Sequence, residues 1–421
     1  MEIVEGENVL NVTLREAENW NYTVRAINST AGVINDNLAS GTVTEGESTP
    51  KFFFPRFILK GTTLYCSKTG ATWYSDVITP DKDDYVYDVT YNQTTVANVA
   101  FYSEGEDVAG VTKGSNEDRA SMGKMGHTGG ADTYKEVTTL TPGKYRIYMR
   151  TQNGNSDARP YNFKVGENVV FTGSFPNGTN TDANSDEFTV YENSTLSFAS
   201  VGSSKSGIDY FYLVKTGEVA TIGSMGYTTF SSSYPLNLSG MTASSGTVTA
   251  YSVLSDGGVS SSEVTPTEAT GNVAAGEGLI LSGTAGATIT IPVATSGDEI
   301  SGNLMKGCPS GATITSSTAN YANFYVLVNG TSEAVFKNLQ DWIKGGNSVT
   351  IPEGKAYLDA TGTSGANQAR GLRISWGGIT GVENVEAAEA TAKKNGAYLE
   401  NGKIAIYKDG KKFNAAGAKL Y

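Results

Sequence analysis

Short runs of β-branched and aromatic residues, each bounded by Gly, Asn or Asp, recur along the whole 421-residue chain. Two of them, 145–150 and 288–293, alternate in side-chain character, as a strand does when one of its faces packs on a core. A third, 324–328, is a continuous apolar run, which is typical of a strand covered on both faces. Tight turns between such strands need Gly, and the chain has 50. The pattern therefore predicts an all-β fold.

Chain length and changes in composition predict several domains, since one domain takes about 150 residues. We expect an N-terminal β-rich domain at 1–98, a second β unit at 99–216 and a Ser-, Thr- and Gly-rich β domain at 217–378. A linker and a C-terminal β unit follow at 379–421, where Asp409-Gly410 predicts a hairpin turn.

Helical segments are rare in this pattern. One short helix is predicted in the third domain, where Phe336, Leu339, Trp342 and Ile343 recur at helical spacing. The segment 14–27 is compatible with a strand or a short helix. The aromatic stretch 51–59 predicts a buried strand that is interrupted by Pro55.

The overall charge restricts the class of partner. The net charge is −12, which disfavours binding to a phosphate backbone, so no nucleic-acid partner is expected. No apolar stretch reaches the roughly 18–20 residues that span a membrane. The start of the chain lacks signal-peptide features, so an exported form would begin as a mature or truncated chain.

Histidine and cysteine are too scarce for most catalytic and metal sites. His127 is the only histidine, so a His-based triad or a His-rich zinc site is disfavoured. Cys66 and Cys308 lie far apart in the sequence and show no metal-ligand spacing. Because these residues are so scarce and no catalytic motif is present, we expect no complete enzyme. Catalysis by a pair of carboxylates stays an alternative, because Asp and Glu residues that are distant in the sequence can come together in the fold.

Acidic clusters are the better candidates for a metal site. Calcium takes several oxygen ligands from carboxylates and carbonyls, and acidic residues cluster at 81–84, 104–107 and 182–187. For each cluster taken alone, a solvated acidic turn is the favoured reading.

Four motifs follow one another in the second unit. An aromatic residue and a Glu-x-Glu pair open it at 101–106, and a Gly-rich segment follows at 126–130. A Pro-Gly-x-Tyr turn then leads into a strand ending in Arg150, and an Asp-Tyr strand closes the unit at 207–213. This order resembles the calcium-dependent β-sandwich carbohydrate-binding modules appended to xylanases and related enzymes.

The resemblance implies both a metal site and a ligand. It implies that Glu104, Glu106 and Asp209 share a structural calcium ion, although Gly105 replaces the usual Ala. It also implies several β-sandwich domains in tandem, of jelly-roll (galactose-binding-like) and Ig-like type.

The unit contains no tryptophan to serve as a sugar platform. Tyr134 and Tyr161 are the candidates to stack on a sugar ring, and packing within a sheet is the alternative for both. Arg150, Asn153 and Asn155 are the candidates to donate hydrogen bonds to it.

The C-terminal segment resembles the sorting regions of type IX secretion cargo. It carries a Val- and Glu-rich linker at 382–386 and a short β unit with Asn-Gly and Asp-Gly-Lys turns. The preceding unit resembles the β-rich domains found before such tails in bacterial surface proteins. This implies a secreted or cell-surface location.

The leading hypothesis is a non-catalytic glycan-binding protein, or the accessory region of a larger polysaccharide-degrading enzyme. Its partner would be a polysaccharide or surface glycan. Two alternatives belong to other classes: a structural or adhesive surface protein that self-associates into filaments, and a carboxylate-based glycosidase or polysaccharide lyase.

Overall fold

The computed structural model describes residues 94–113, 126–127, 133–152, 159–175, 181–200, 207–329, 333–343, 346–363 and 370–376. Of the rest, it describes the backbone of strands within 3–94 and 396–420. Strands dominate every one of these regions, which confirms the all-β prediction.

The strands before residue 97 form three small antiparallel sheets. Their bounds are β1 (Ile3–Glu5), β2 (Val9–Leu14), β3 (Trp20–Asn28), β4 (Gly32–Val43), β5 (Lys51–Phe53), β6 (Phe57–Leu59), β7 (Thr62–Lys68), β8 (Tyr85–Tyr87) and β9 (Thr94–Val96). The three sheets have the orders β6-β1-β9, β5-β2-β8 and β4-β3-β7. The segment 14–27 therefore ends in a strand, and two strands flank Pro55.

The next eleven strands build two antiparallel sheets packed face to face, which we call the sandwich. Their bounds are β10 (Val99–Glu104), β11 (Thr112–Lys113), β12 (Gly126–His127), β13 (Lys135–Leu140), β14 (Gly143–Gln152), β15 (Arg159–Val165), β16 (Asn168–Phe175), β17 (Thr181–Asn184), β18 (Phe188–Val190), β19 (Ser194–Ser200) and β20 (Gly207–Thr221). One sheet has the order β13-β19-β15-β16. The other has the order β11-β12-β20-β14, with β10 paired to β20, and β17 and β18 paired to β14.

Alternation along the strands explains why the two sheets pack. On β14, Tyr145, Ile147 and Met149 are buried, while the residues between them are half-buried on the opposite face. They meet Phe163 and Phe198 from the other sheet in one apolar core. Burying such a set of rings and branched chains is the main stabilising term for a sandwich of this kind.

The strands after residue 226 form a second set of sheets, which we call the following unit. Their bounds are β21 (Tyr227–Phe230), β22 (Leu236–Asn237), β23 (Thr242–Ala243), β24 (Val248–Ser252), β25 (Glu263–Val264), β26 (Thr267–Ala269), β27 (Asn272–Val273), β28 (Leu279–Gly283), β29 (Thr288–Pro292), β30 (Met305–Cys308), β31 (Ala312–Ile314), β32 (Phe324–Asn329), β33 (Ala334–Asn338), β34 (Val349–Ile351), β35 (Lys355–Asp359) and β36 (Gly371–Ile374). The two larger sheets have the orders β21-β28-β24-β26 and β25-β36-β33-β32-β35-β30. The alternation predicted at 288–293 is present, since Ile289 and Ile291 of β29 are fully buried.

Strand β20 belongs to both the sandwich and the following unit. Its first part pairs with β10 and β14, and its last residues, from Gly217 to Thr221, pair with β29. Asn98 adds a side-chain hydrogen bond to the Ala294 carbonyl at 2.9 Å. The boundary expected between 216 and 217 thus falls inside one continuous strand.

The predicted short helix is present, but it is shorter than the segment over which helical spacing was found, Phe336 to Ile343. Helix α1 spans Gln340–Ile343, whereas Phe336 lies in strand β33 with its side chain fully buried. The segment 334–338 is a strand because it is hydrogen-bonded between β32 and β36. No helix in the described parts of the chain has the length and apolarity that a membrane crossing requires.

The last strands form a four-stranded antiparallel sheet. Their bounds are β37 (Gly396–Glu400), β38 (Lys403–Lys408), β39 (Lys411–Asn414) and β40 (Lys419–Leu420). Lys408 pairs with Lys411 across Asp409-Gly410, as the predicted hairpin requires. Among the cysteines, Cys308 is a free, buried thiol.

Candidate functional site

Three acidic side chains are buried where β10 ends against β20. Glu104 and Glu106 are each 5% exposed and Asp209 is 1% exposed. Glu104 pairs with Tyr210 in the ladder between the two strands, and Glu106 lies in the single 3₁₀ turn Gly105–Asp107 that follows. The structure therefore buries all three calcium candidates at one end of one strand pair.

The 3₁₀ turn approaches strand β20 very closely. A Cβ atom on Gly105 would collide with the carbonyl oxygen of Ile208, and one on Gly126 would collide with the carbonyl of Gly105. The replacement of Ala by Gly at position 105 is thus a steric requirement of this turn. The close approach of the turn to β20 places Glu104 and Glu106 next to the strand that carries Asp209.

The hydroxyl group of Tyr102 donates a hydrogen bond to Glu104. Burial raises the pKa of Tyr102 well above its usual value, and the nearby charges of Glu104 and Asp209 raise it further. The phenol therefore stays protonated and serves the carboxylate as a donor.

The acidic residues fit calcium in ligand type. They are buried carboxylates, and calcium prefers oxygen ligands. Across the described ranges, however, no three His, Cys, Asp or Glu side chains are grouped so that they could hold one ion. The described side chains by themselves thus do not form a complete calcium-coordination site.

Arg150 lies between two carboxylates beside this acidic group. Its Nε atom is 3.8 Å from Asp209 Oδ2 and 4.0 Å from Asp182 Oδ1. Asp182 is exposed on β17 and Asp209 is buried, so Arg150 connects the acidic group with the surface of the sheet. A role for Arg150 in binding an external ligand would compete with these ion pairs.

Tyr161 does not lie where a sugar platform would be. It is 0% exposed and packs edge-on against Phe163 and Phe171 in the sandwich core. Neither face of its ring is accessible to a ligand. Tyr161 is therefore a core residue that packs within the sheet, and it is not a sugar-stacking residue. On β15, Tyr161, Phe163 and Val165 alternate into the core.

Tyr134 is half-buried, and the ammonium group of Lys164 lies 4.2 Å above its ring. That face of the ring is already used by a cation–π contact. Asn153 and Asn155 lie outside the described residues, as do the side chain of His127 and the acidic cluster at 81–84.

The face of the sandwich sheet opposite the core carries residues that the sequence-based candidates did not include. Tyr148 of β14 and Tyr212 of β20 are paired directly across the ladder, and their rings stack at 5.1 Å with 10° between planes. Asn184 of the edge strand β17 pairs with Tyr148 on the other side and is exposed. We call Asn184, Tyr148 and Tyr212, with Arg146, the outer-face row.

Arg146 lies on the same face as Tyr148. Its Nε atom is buried and donates no hydrogen bond to any residue that the structure describes. The alternation over 145–150 places Arg146, Tyr148 and Arg150 on one face of the strand. This sequence pattern could therefore have predicted part of the outer-face row.

No protein-family model matches this chain. No curated protein sequence matches it either.

Solved structures that are similar to a small part of the chain include two carbohydrate-binding modules and a glycoside hydrolase. A family 35 carbohydrate-binding module from Clostridium thermocellum is 16% identical with a TM-score of 0.24, and the match covers 27% of this chain and 97% of the module. The C-terminal family 6 module of a marine laminarinase from Zobellia galactanivorans is 16% identical with a TM-score of 0.23, covering 27% of this chain and 98% of the module. A ruminal family GH26 endo-β-1,4-mannanase is 15% identical with a TM-score of 0.23, covering 27% of this chain and 25% of the enzyme.

Proposed function

We propose that this chain is a non-catalytic glycan-binding protein of the cell surface or the secreted fraction, or the accessory region of a larger polysaccharide-degrading enzyme. The observation that carries the proposal is the outer-face row. It combines a stacked tyrosine pair with an exposed amide and a guanidinium group on a rigid sheet. The ordered motifs of the sandwich, which resemble carbohydrate-binding modules, support the same reading.

The chemistry of the row suits a sugar. One face of the Tyr148 ring stacks on Tyr212. The other face lies toward Asn184, a shorter side chain on the edge strand β17. An aromatic face beside amide and guanidinium donors can pack on the C–H face of a pyranose while it satisfies the sugar hydroxyls. The ladder fixes these groups before the ligand arrives, which lowers the entropy cost of binding.

Affinity electrophoresis tests this function. The whole chain is run in gels that contain a mixed-linkage β-glucan, a galactomannan or an arabinoxylan. At least one of these should retard the chain, and Tyr148→Ala should weaken that binding by about tenfold, the loss of one stacked contact of roughly 1.4 kcal/mol. Tyr148→Phe keeps the ring and should bind as the unchanged chain does. Equal retardation of Tyr148→Ala and the unchanged chain would contradict the proposed face.

We also propose that Glu104, Glu106 and Asp209 contribute carboxylate ligands to a structural calcium ion whose remaining ligands are backbone carbonyl groups or water, since the three side chains do not form a complete site by themselves. Their burial and carboxylate chemistry support this, because buried carboxylates are held by cations or hydrogen bonds. Thermal unfolding in 1 mM calcium chloride and in excess chelator is the test. We expect a higher midpoint with calcium, a difference that disappears in Glu106→Gln. Identical midpoints in calcium and chelator would exclude the ion.

Location at the cell surface is part of the proposal and is supported by the sorting-like C-terminal segment. Fusing residues 379–421 to a reporter in a bacterium with type IX secretion tests it. Export of the reporter is the expected result, and retention inside the cell would contradict it.

A further inference from the structure

We propose that a second stretch of an uncharged polysaccharide binds in the cleft between the sandwich and the following unit. This inference rests on the proposed glycan-binding function and adds a second contact surface to it. The cleft has a volume of ≈ 690 Å³, which lies in the range of ligand sites. We call it the junction cleft.

The walls of the junction cleft are held in fixed positions. β20 runs through its lining, and the backbone N–H of Ser231 donates to the Gly354 carbonyl at 2.9 Å across the following unit. The Asn98 amide joins the end of the sandwich to Ala294. A cleft built in this way needs little ordering when a ligand enters.

Its floor is a buried polar network. The ammonium group of Lys215 lies 2.6 Å from Glu218 Oε2, and Ser232 Oγ donates to Glu218 Oε1 at 2.6 Å. The same ammonium lies 5.5 Å from the ring centres of Tyr145 and Tyr234. The network holds these groups in one arrangement beneath the cleft.

The charges that line the cleft point to an uncharged ligand. Its charged residues are Lys215, Glu218, Glu353 and Lys355, two cations and two anions, although the whole chain carries −12. An anionic ligand would find no excess of positive charge here. A polyol, in contrast, matches the many hydroxyl groups of the lining, contributed by Thr138, Thr139, Thr141, Thr221 and the serines at 231–233.

The rim of the cleft presents an exposed aromatic ring. Tyr191 is 71% exposed, between β18 and β19, and the amide of Asn193 lines the cleft beside it. Among the described residues, Tyr191 is the most exposed of the large hydrophobic side chains. A ring with free faces next to an amide is the arrangement that sugar stacking requires.

The test compares Tyr191→Ala and Tyr191→Phe with the unchanged chain. Val169→Ala serves as the matched control, because Val169 is also exposed, at 50%, but lies on strand β16 outside the cleft. Binding is measured by affinity electrophoresis in the three gels and by calorimetric titration with a hexasaccharide prepared from the polysaccharide that binds best. We expect Tyr191→Ala to weaken polysaccharide binding by about three- to tenfold, with Tyr191→Phe and Val169→Ala unchanged. The titration should show two sites in the unchanged chain, and in Tyr191→Ala one of the two should be weaker by about three- to tenfold.

Two results would overturn the inference. If Tyr148→Ala weakens binding while Tyr191→Ala binds as the unchanged chain does, the junction cleft is excluded and the proposed function stands. If the unchanged chain binds none of the three polysaccharides, both fall. Tyr191 is exposed, so its replacement should leave the fold intact, and circular dichroism of each variant confirms this.

Discussion

Lys215 and Glu218 form a buried ion pair inside one strand, although they are three positions apart. Residues at that separation on a regular strand lie on opposite faces. Here Tyr145 pairs with Lys215 and Lys144 pairs with Gly217, so Thr216 is the extra residue of a β-bulge. The bulge returns Glu218 to the face of Lys215, at the point where β20 passes from the sandwich to the following unit.

We predict that Lys215→Met lowers the free energy of unfolding by about 3–5 kcal/mol, because it leaves the buried Glu218 carboxylate without its cation. The double variant Lys215→Met/Glu218→Leu should cost less than the single one. Urea unfolding of both measures this. Lys144→Met is the control, since the Lys144–Glu187 pair is about one-third exposed and should be worth less than about 1 kcal/mol. Equal costs for the buried and exposed pairs would contradict the assignment.

A second prediction concerns Tyr145. Burial raises the pKa of Tyr145 to about 12, although its hydrogen bond with Thr141 acts in the opposite direction. Between pH 10 and about 12 the unfolded chain therefore loses a proton that the native state keeps. Stability should fall in that window by up to about 1.4 kcal/mol per pH unit from this group alone.

Tyr145→Phe separates that effect from the rest of the protein. At pH 7 it should cost about 1 kcal/mol, because the phenol donates to the Thr141 carbonyl at 2.8 Å. The cost should shrink as the pH rises above 10. A difference between Tyr145→Phe and the unchanged chain that stays constant from pH 7 to 11, measured by urea unfolding, would show that Tyr145 titrates normally.

A third prediction follows from the close approach at Gly105. Gly105→Ala should destabilise the chain by about 1–3 kcal/mol, because the new methyl group displaces the 3₁₀ turn from the Ile208 carbonyl. Gly371→Ala is the control, since its Cβ atom would meet Phe336 O at an ordinary 3.6 Å. Thermal and urea unfolding of both variants give the comparison. If Gly105→Ala is as stable as Gly371→Ala, the turn does not require glycine.

A fourth prediction distinguishes core from surface tyrosines. Tyr161→Ala should cost about 3–5 kcal/mol in urea unfolding, because it leaves a cavity beside Phe163 and Phe171. Tyr191→Ala should change stability by less than about 0.5 kcal/mol, because the ring is exposed. A Tyr161→Ala variant of nearly unchanged stability would mean that the ring is not part of the core.

Alternation made the sandwich largely predictable from the sequence. The turn Pro142-Gly143 and the pattern over 145–150 identified β14 and both of its faces. The same rule applied to 159–165 would have placed Tyr161 in the core. Residue type alone left Tyr161 with two readings, a sugar platform or packing within a sheet, and strand parity decides between them.

Pairing between strands that are distant in the sequence determined two features that local patterns did not predict, the full length of β20 and the strand at Phe336. The composition changes near residue 216, yet β20 continues to Thr221 because β29, some seventy residues later, supplies its partner. Phe336 fits a helical spacing but lies in a strand for the same reason. The junction cleft is built from both units, so no local pattern could have indicated it.

The shared strand also determines how the molecule would bear mechanical load. Tension applied along the chain would pass from the sandwich to the following unit through β20, which is continuous between them. Hydrogen bonds in an antiparallel ladder lie across the strand direction, so a pull along β20 would load its bonds to β14 and β29 in shear, many at once, instead of one after another. The sandwich and the following unit would therefore separate only when many of these hydrogen bonds broke together.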